Sequence, residues 1–473
     1  MAARTVSILG GNWDAVATWV GGVVPIAGDT VDFTATSGNL VVNVNTATLA
    51  GINFTNYVGV ITFNANIVVN TSVNLGTGGY TQAGSGAFGL SISSSTTITS
   101  NGVVWNNLLA FFGSSQTYTL ADNLTVTGNI NISGSGSTIF TGNTLYISSN
   151  LTITTTTTIS GGTEFVFNGT GTWSHTNIGS IRNNVTIDTT GTLTIGTNIY
   201  YNTGTLTYIN GTVDTSGSTL NIALATTLNT SGMTWNNVTI TSGIQTLLSD
   251  LNVQNLASGG GGTNTINGLF NVNVSGNLTA NGVVIGTATI VLIGTGTWTA
   301  TNGSNTFRTP VIINANGIIT LANTLECGGN LTYIKGTVKA NNTTISFTTS
   351  TLINLHKLIF KNVLLGASTT ITMNEFFSGS PSLVTNVNST SGSNYTIAFQ
   401  DGFEKISKFV NISSCTLSKP LQLLVLTKSK INSRNSGIRY INQSPNGISK
   451  NKPSIINQTT YNSQMLINDP GMK

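Results

Sequence analysis

The sequence predicts an all-β chain wound as a single-stranded β-helix, a β-solenoid with about 21–25 residues per coil and a super-repeat of roughly 125 residues. Three observations carry this prediction. Short β-branched alternations recur, among them Val185-Thr186-Ile187, Leu193-Thr194-Ile195, Leu220-Asn221-Ile222 and Val238-Thr239-Ile240. Apolar positions two apart, bounded by Gly, Asn or Ser-Gly, mark strands and turns, and helical periodicity is nearly absent. Next, whole segments return. Gly169-Thr-Gly-Thr-Trp173 comes back as Gly294-Thr-Gly-Thr-Trp298, Leu206-Thr-Tyr-Ile-Asn-Gly-Thr-Val213 as Leu331-Thr-Tyr-Ile-Lys-Gly-Thr-Val338, and Trp235-Asn-Asn-Val238 as Phe360-Lys-Asn-Val363, each displaced by 125 residues. Finally, charge is scarce: 17 Lys and Arg and 13 Asp and Glu in 473 residues, or 6%, about a quarter of the usual share.

The repeat argues for stacking rather than for separate domains, because no Pro-rich or charged boundary divides the copies. The aromatic landmarks Trp173 and Trp235, and again Trp298 and Phe360, stand 62 residues apart, which reads as three coils of about 21. Trp105-Asn-Asn-Leu108 reads as an earlier, diverged copy of the Trp235 segment. Such a coil places Ile, Val, Leu and aromatic ladders inside, Thr, Asn and Ser outside, and Asn or Gly at the corners. At about 4.8 Å per coil, some 18 coils would make a rod on the order of 85 Å. Stacking also accounts for the missing charge: a charge repeated at one position in successive coils would repel itself, whereas Thr and Asn ladders hydrogen-bond along the axis.

Taken in chain order, residues 1–33 read as an N-terminal aromatic cap, with Trp13 and Trp19 near Pro25 and the acidic pair Asp29 and Asp32. Residues 34–400 read as the solenoid body. Residues 401–473 read as a basic C-terminal segment and a docking arm, with Lys419, Lys428, Lys430, Arg434 and Arg439 as candidate docking residues. From residue 402 onward ten basic residues face two acidic ones, net +8, while residues 1–401 carry seven basic against eleven acidic, net −4. The formal +4 of the whole chain is a difference between two regions of opposite sign.

The residues offer little chemistry. Polysaccharide lyases and glycosidases need paired carboxylates or a metal-bound cluster, and in the body Asp122, Glu164, Asp188, Asp214, Asp250, Glu326 and Glu375 stand alone in sequence. Asp188 and Asp214 are the pair that stacking could bring onto neighbouring coils. His175 and His356, the only imidazoles, have no Cys, His or Asp at ligand spacing and are expected on the surface. Gly259-Gly-Gly-Gly262 lacks the Lys-Ser/Thr of a phosphate cradle and reads as a corner. No metal or cofactor is expected. Cys327 and Cys415 could pair but do not make a disulfide framework. The basic segment lacks the aromatic interleaving of a nucleic-acid binder. No apolar run approaches the roughly 20 residues of a membrane span, and the Met1–Gly11 stretch is too short in its apolar part for a secretory signal, so export without one is expected.

Trp13 and Trp19 followed by Val23-Val24-Pro25 and Gly28-Asp29-Thr30-Val31 resemble the opening of Gly/Thr/Asn-rich right-handed β-solenoid proteins of bacteriophage virions and bacterial surfaces. Phe409-Val-Asn-Ile-Ser-Ser-Cys415, with Ser436-Gly-Ile-Arg439 after it, resembles the closing coils of that group, although this chain ends in a basic tail rather than a short aromatic strand. The resemblance implies a non-enzymatic virion structural or attachment protein: a tail fibre, spike or capsid decoration. Its partners would be other virion proteins and copies of itself, as a homo-oligomer such as a trimer, with a host surface polysaccharide or receptor at the exposed part. The alternatives are a secreted bacterial adhesin, at the cell surface, and a polysaccharide-degrading β-helix enzyme.

Overall fold

In a computed structural model of the chain, the β-branched alternations become short parallel strands, each hydrogen-bonded to the strand about one coil before and one coil after it. The structure describes residues 2–431 apart from 155, 157, 260–261, 301–305, 323, 341–342, 350, 355–357, 367–368, 374–384, 390–393, 400–403, 409, 413–414, 418–422 and 428–429. Among the described residues there is no α-helix, only one 3-10 turn at Val16–Thr18, and the fold is a parallel β-solenoid of about 16 turns. It divides into two compact units, Met1–Thr239 and Ile240–Lys473.

In the first unit each coil has three faces, and inward residues stack in register. Leu109, Ile130, Leu151 and Trp173 are successive partners on one face. Trp105, Val126, Ile147 and Phe167 line the second, and Ile159, Ile181 and Tyr201 the third. All are buried, each full burial of such a side chain contributing roughly 1.5–3 kcal/mol. The spacing on the first face is 21 or 22 residues. It widens in the opening coil, where Ala3 pairs with Thr30 and Gly11 with Leu40, because the cap is inserted there. Aromatic rings stack in the early coils, Phe33 on Phe54 at 4.5 Å and Phe54 on Tyr80 at 5.0 Å.

The second unit repeats the scheme. Phe307, Cys327, Phe347 and Leu365 are successive partners, as are Leu278, Trp298 and Leu321. The sequence repeat is also a repeat of geometry. Val185–Ile195 pairs with Thr205–Asp214 through register breaks at Ile187/Asp188 and Asp188/Thr192. Val311–Leu321 pairs with Leu331–Lys339 through breaks at Ile313/Asn314 and Asn314/Ile318. In both bulges a tyrosine clasps the corner, Tyr208 donating to the Gly211 carbonyl at 2.8 Å and Tyr333 to that of Gly336 at 2.7 Å. The two glycines have φ of +106° and +114°, a region closed to most side chains.

The aromatic landmarks are all buried. Trp173 lies over Leu151 and is followed one coil on by Ile195; the next coil carries Thr215, after Asp214 opposite Thr194, and its hydroxyl donates to the Thr234 carbonyl beside Trp235, so three coils separate the two tryptophans. Trp105 lies over Val126, on a different face from Trp173. The 125-residue spacing is a repeat of local geometry. Parallel pairing also runs past the boundary expected at residue 400, with Glu404–Lys408 on Leu423–Thr427 and Val410–Ile412 on Lys430–Ile431.

Outward positions form the expected uncharged ladders. Thr119 and Thr141 hydroxyls lie 3.1 Å apart, Thr299 donates to Thr279 at 3.2 Å, and Asn273 donates to Asn252 at 2.9 Å. If the ladder is what excludes charge, Thr119→Lys and Thr141→Lys should each cost little. Together they should destabilise by about 1 kcal/mol beyond their sum at low salt, a coupling that high salt removes. A double-mutant cycle by thermal unfolding in low and high salt measures it.

Candidate functional site

The first candidate is the cap. Trp13 and Trp19 pack edge to face, ring centroids 4.9 Å apart, and both are buried. The indole N–H of Trp19 donates to the Trp13 carbonyl at 2.8 Å, and Val6 bridges Trp19 in an antiparallel pair. Pro25 is buried beside them in sequence. Asp29 ties the cap to the first strand: it accepts from the Ala2 N–H and from Arg4 Nε, both at 2.8 Å, and from the Ile26 N–H at 3.3 Å. These donors, Arg4 first, hold its carboxyl down at about 2 despite burial. The plug is a structural closure of an otherwise open coil edge.

The second candidate is the set of carboxylates. Each of the nine described in residues 1–401 accepts a hydrogen bond, and all but Asp214 have a donor on a coil 20-odd residues away. Asp122 takes the Ser100 and Asn101 N–H groups at 2.7 and 2.6 Å, holding a corner where Asn101 has φ of +52°. Glu164 accepts from the Thr186 hydroxyl at 2.6 Å, Asp250 from the Asn271 N–H at 2.9 Å and Glu326 from the Thr348 hydroxyl at 3.1 Å. Asp214 accepts from the Ser216 N–H, which lowers its pKa. Asp188 and Asp214 do lie on neighbouring coils, yet Asp188 stands opposite Asn210 and Asp214 opposite Thr194, so they do not face each other. Glu375 and Asp401 lie outside the described residues. Among the described residues no three His, Cys, Asp or Glu side chains gather as a metal site.

His175 corrects an expectation: it is buried, not on the surface. It occupies an inward slot above Ile153, two residues after Trp173 on the same face. The Trp173 indole N–H donates to its Nε2 at 3.0 Å, which leaves the proton on Nδ1 to be donated to the Gly179 carbonyl at 2.6 Å. Burial pushes its pKa down to about 4. The signal was legible, since Trp173-x-His175 has the inward alternation of its register partner Leu151-x-Ile153. The second copy lacks the partner: Ala300 stands where His175 would be, and the buried Trp298 Nε1 has no hydrogen-bond partner among the described residues. His356 lies outside the described residues.

Cys327 and Cys415 form no disulfide. Cys327 is a core residue between Phe307 and Phe347, with its thiol pushed up to about 12 by burial, and Cys415 pairs in register with Tyr395. Of the candidate docking residues, Lys430 lies in the strand Lys430–Ile431, while Lys419, Lys428, Arg434 and Arg439 lie outside the described residues. No described helix is long and apolar enough to cross a membrane. Comparison with protein-family models, curated proteins and solved structures gives no match for this chain.

The histidine sets a pH dependence. Its folded pKa of about 4 lies below the ordinary imidazole value of 6.5, so the unfolded chain binds the proton first. Stability from this site should be constant above pH 6.5 and fall as pH drops toward 4, by about 3 kcal/mol once both states are protonated. Equilibrium unfolding of wild type and His175→Gln across that range checks it: the substitution should flatten this limb and leave the later loss below pH 3.8, where Asp29 takes up a proton in the unfolded chain but not yet in the folded one.

Proposed function

We propose that this chain is a non-enzymatic structural or attachment protein of a bacteriophage virion, a tail fibre, spike or capsid decoration, self-assembled and held to other virion proteins, with its uncharged outer faces presented to a host surface polysaccharide or receptor. The observation that carries the reading is the use to which polar groups are put. Thr and Asn side chains ladder from coil to coil, and the described carboxylates serve as acceptors that fasten corners and adjoining strands. A chain built this way devotes its polar chemistry to a stiff, repetitive surface, which suits support and display. Broad uncharged faces of Thr and Asn also match the hydroxyl-rich surface of a polysaccharide, through many weak hydrogen bonds rather than one deep pocket. The opening residues around Trp13, Trp19 and Pro25 resemble solenoids of both virions and bacterial surfaces, which keeps a secreted adhesin as the second reading.

Immuno-gold electron microscopy of phage particles with antibody to this chain tests the assignment. Label at a regular position on the tail or capsid is the expected result. Label confined to the surface of uninfected bacteria would assign it as an adhesin instead, and release of reducing ends from host polysaccharide by the purified chain would overturn the non-enzymatic reading.

A further inference from the structure

The cap has an outer face as well as an inner one, and that face is apolar. Ile8 and Leu9 are 76% and 83% exposed, and Val16, Val20 and Ile26 about as open at 60%, 61% and 61%, with Val23 at 42%. These six large apolar side chains fall within residues 8–26, whereas the other described residues of the first unit, roughly ten times as many, expose eight. Terminal caps of repeat proteins carry polar outer faces to stay soluble, so an apolar cap is the reverse of what a free end requires. Four of these side chains, Ile8, Leu9, Val16 and Val20, are brought together by the backbone. The Ser7 N–H donates to the Thr18 carbonyl at 2.7 Å, the Ser7 hydroxyl to that of Ala17 at 3.1 Å and the Val20 N–H to that of Thr5 at 2.9 Å. The turn bearing Ile8 and Leu9 therefore lies beside the segment of Val16 and Val20.

We infer that this face is a two-fold interface, with the cap of one chain seated on the cap of a second copy. Three features identify the occupant. Between residues 6 and 28 the one charged residue is Asp14, already accepting from Asn43 at 2.9 Å, so the face offers no charge pattern for an anionic membrane or a nucleic acid. An uncharged apolar face is complementary to itself, as a closed two-fold contact demands. Summed over the six side chains, the exposed fractions amount to about 600 Å² of apolar surface, at the top of the range that monomers usually leave open and approaching the ~800 Å² that each partner contributes to a standard interface. The inference deepens the self-assembly part of the proposed function and rests on it only there.

Sedimentation equilibrium of the full chain at micromolar concentration tests the contact, alongside Leu9→Lys/Val20→Lys and, separately, Ile26→Lys. Because these side chains are exposed, the variants should melt as wild type does. Wild type is expected at twice the 49.1 kDa chain mass, and both variants at the single chain mass. A wild-type monomer at every concentration overturns the inference, as does a wild-type mass other than that of a dimer. A dimer that survives both variants also overturns it, while leaving self-assembly through another surface intact. Binding of the wild-type cap to neutral lipid vesicles, lost in the variants, would overturn it in favour of a membrane.

Discussion

The structure depends on one constraint: strand residues lie directly over their counterparts in the next coil, joined by parallel backbone hydrogen bonds about 4.8 Å apart. Whatever occupies a position must tolerate its own kind above and below. Inside, this favours ladders such as Leu109, Ile130, Leu151 and Trp173. Outside, it favours Thr and Asn, which donate and accept along the axis, over charges that would repel. At corners it favours glycine wherever coils approach too closely for a Cβ, as at Gly142, where an added carbon would collide with the Leu120 carbonyl. The 6% charge content is the compositional trace of that rule.

The constraint also explains how the polar exceptions are handled. A carboxylate is tolerated where it stands alone in its ladder and accepts a hydrogen bond, as Asp122 does from two backbone N–H groups. An imidazole is tolerated in the core because both its nitrogens are satisfied, by Trp173 and by Gly179. The second copy has Ala300 in place of the histidine, and among the described residues the Trp298 N–H has no partner. An unmade buried hydrogen bond costs about 1–3 kcal/mol, so ring packing, rather than the hydrogen bond, is the part of this motif that both copies keep. The open edge of the first coil is the remaining difficulty, and the cap meets it with two buried tryptophans and a carboxylate tied to Arg4.

Much of this was legible in the residues. Alternation with period two gave the strands, and the 125-residue recurrence proved to be a recurrence of geometry down to the Tyr208 and Tyr333 clasps. What escaped was information that only a face assignment supplies. Trp105 and Trp173 are both inward, but inwardness does not say which of three faces a residue lines. His175 looked exposed because an isolated imidazole ordinarily is; its place two residues after Trp173 was the stronger signal. The outward Ile8, Leu9, Val20 and Ile26 were hidden because an apolar residue in a cap is indistinguishable in sequence from one that plugs the coil.

The central claim is the parallel, in-register stacking itself, and engineered disulfides test it most directly. Asn252 and Asn273 are register partners with hydrogen-bonded side chains, and cysteines at both positions would fall within the ~4.4–6.8 Å Cα separation that a disulfide needs. Cysteines at Asn252 and Asn271 would be slipped by two residues, at about 8 Å by strand geometry, beyond that range. Under mild oxidation in Cys327→Ser/Cys415→Ala chain, the account predicts an intramolecular disulfide in the first variant and none in the second. A disulfide in the slipped pair, or none in the register pair of a folded chain, would contradict it.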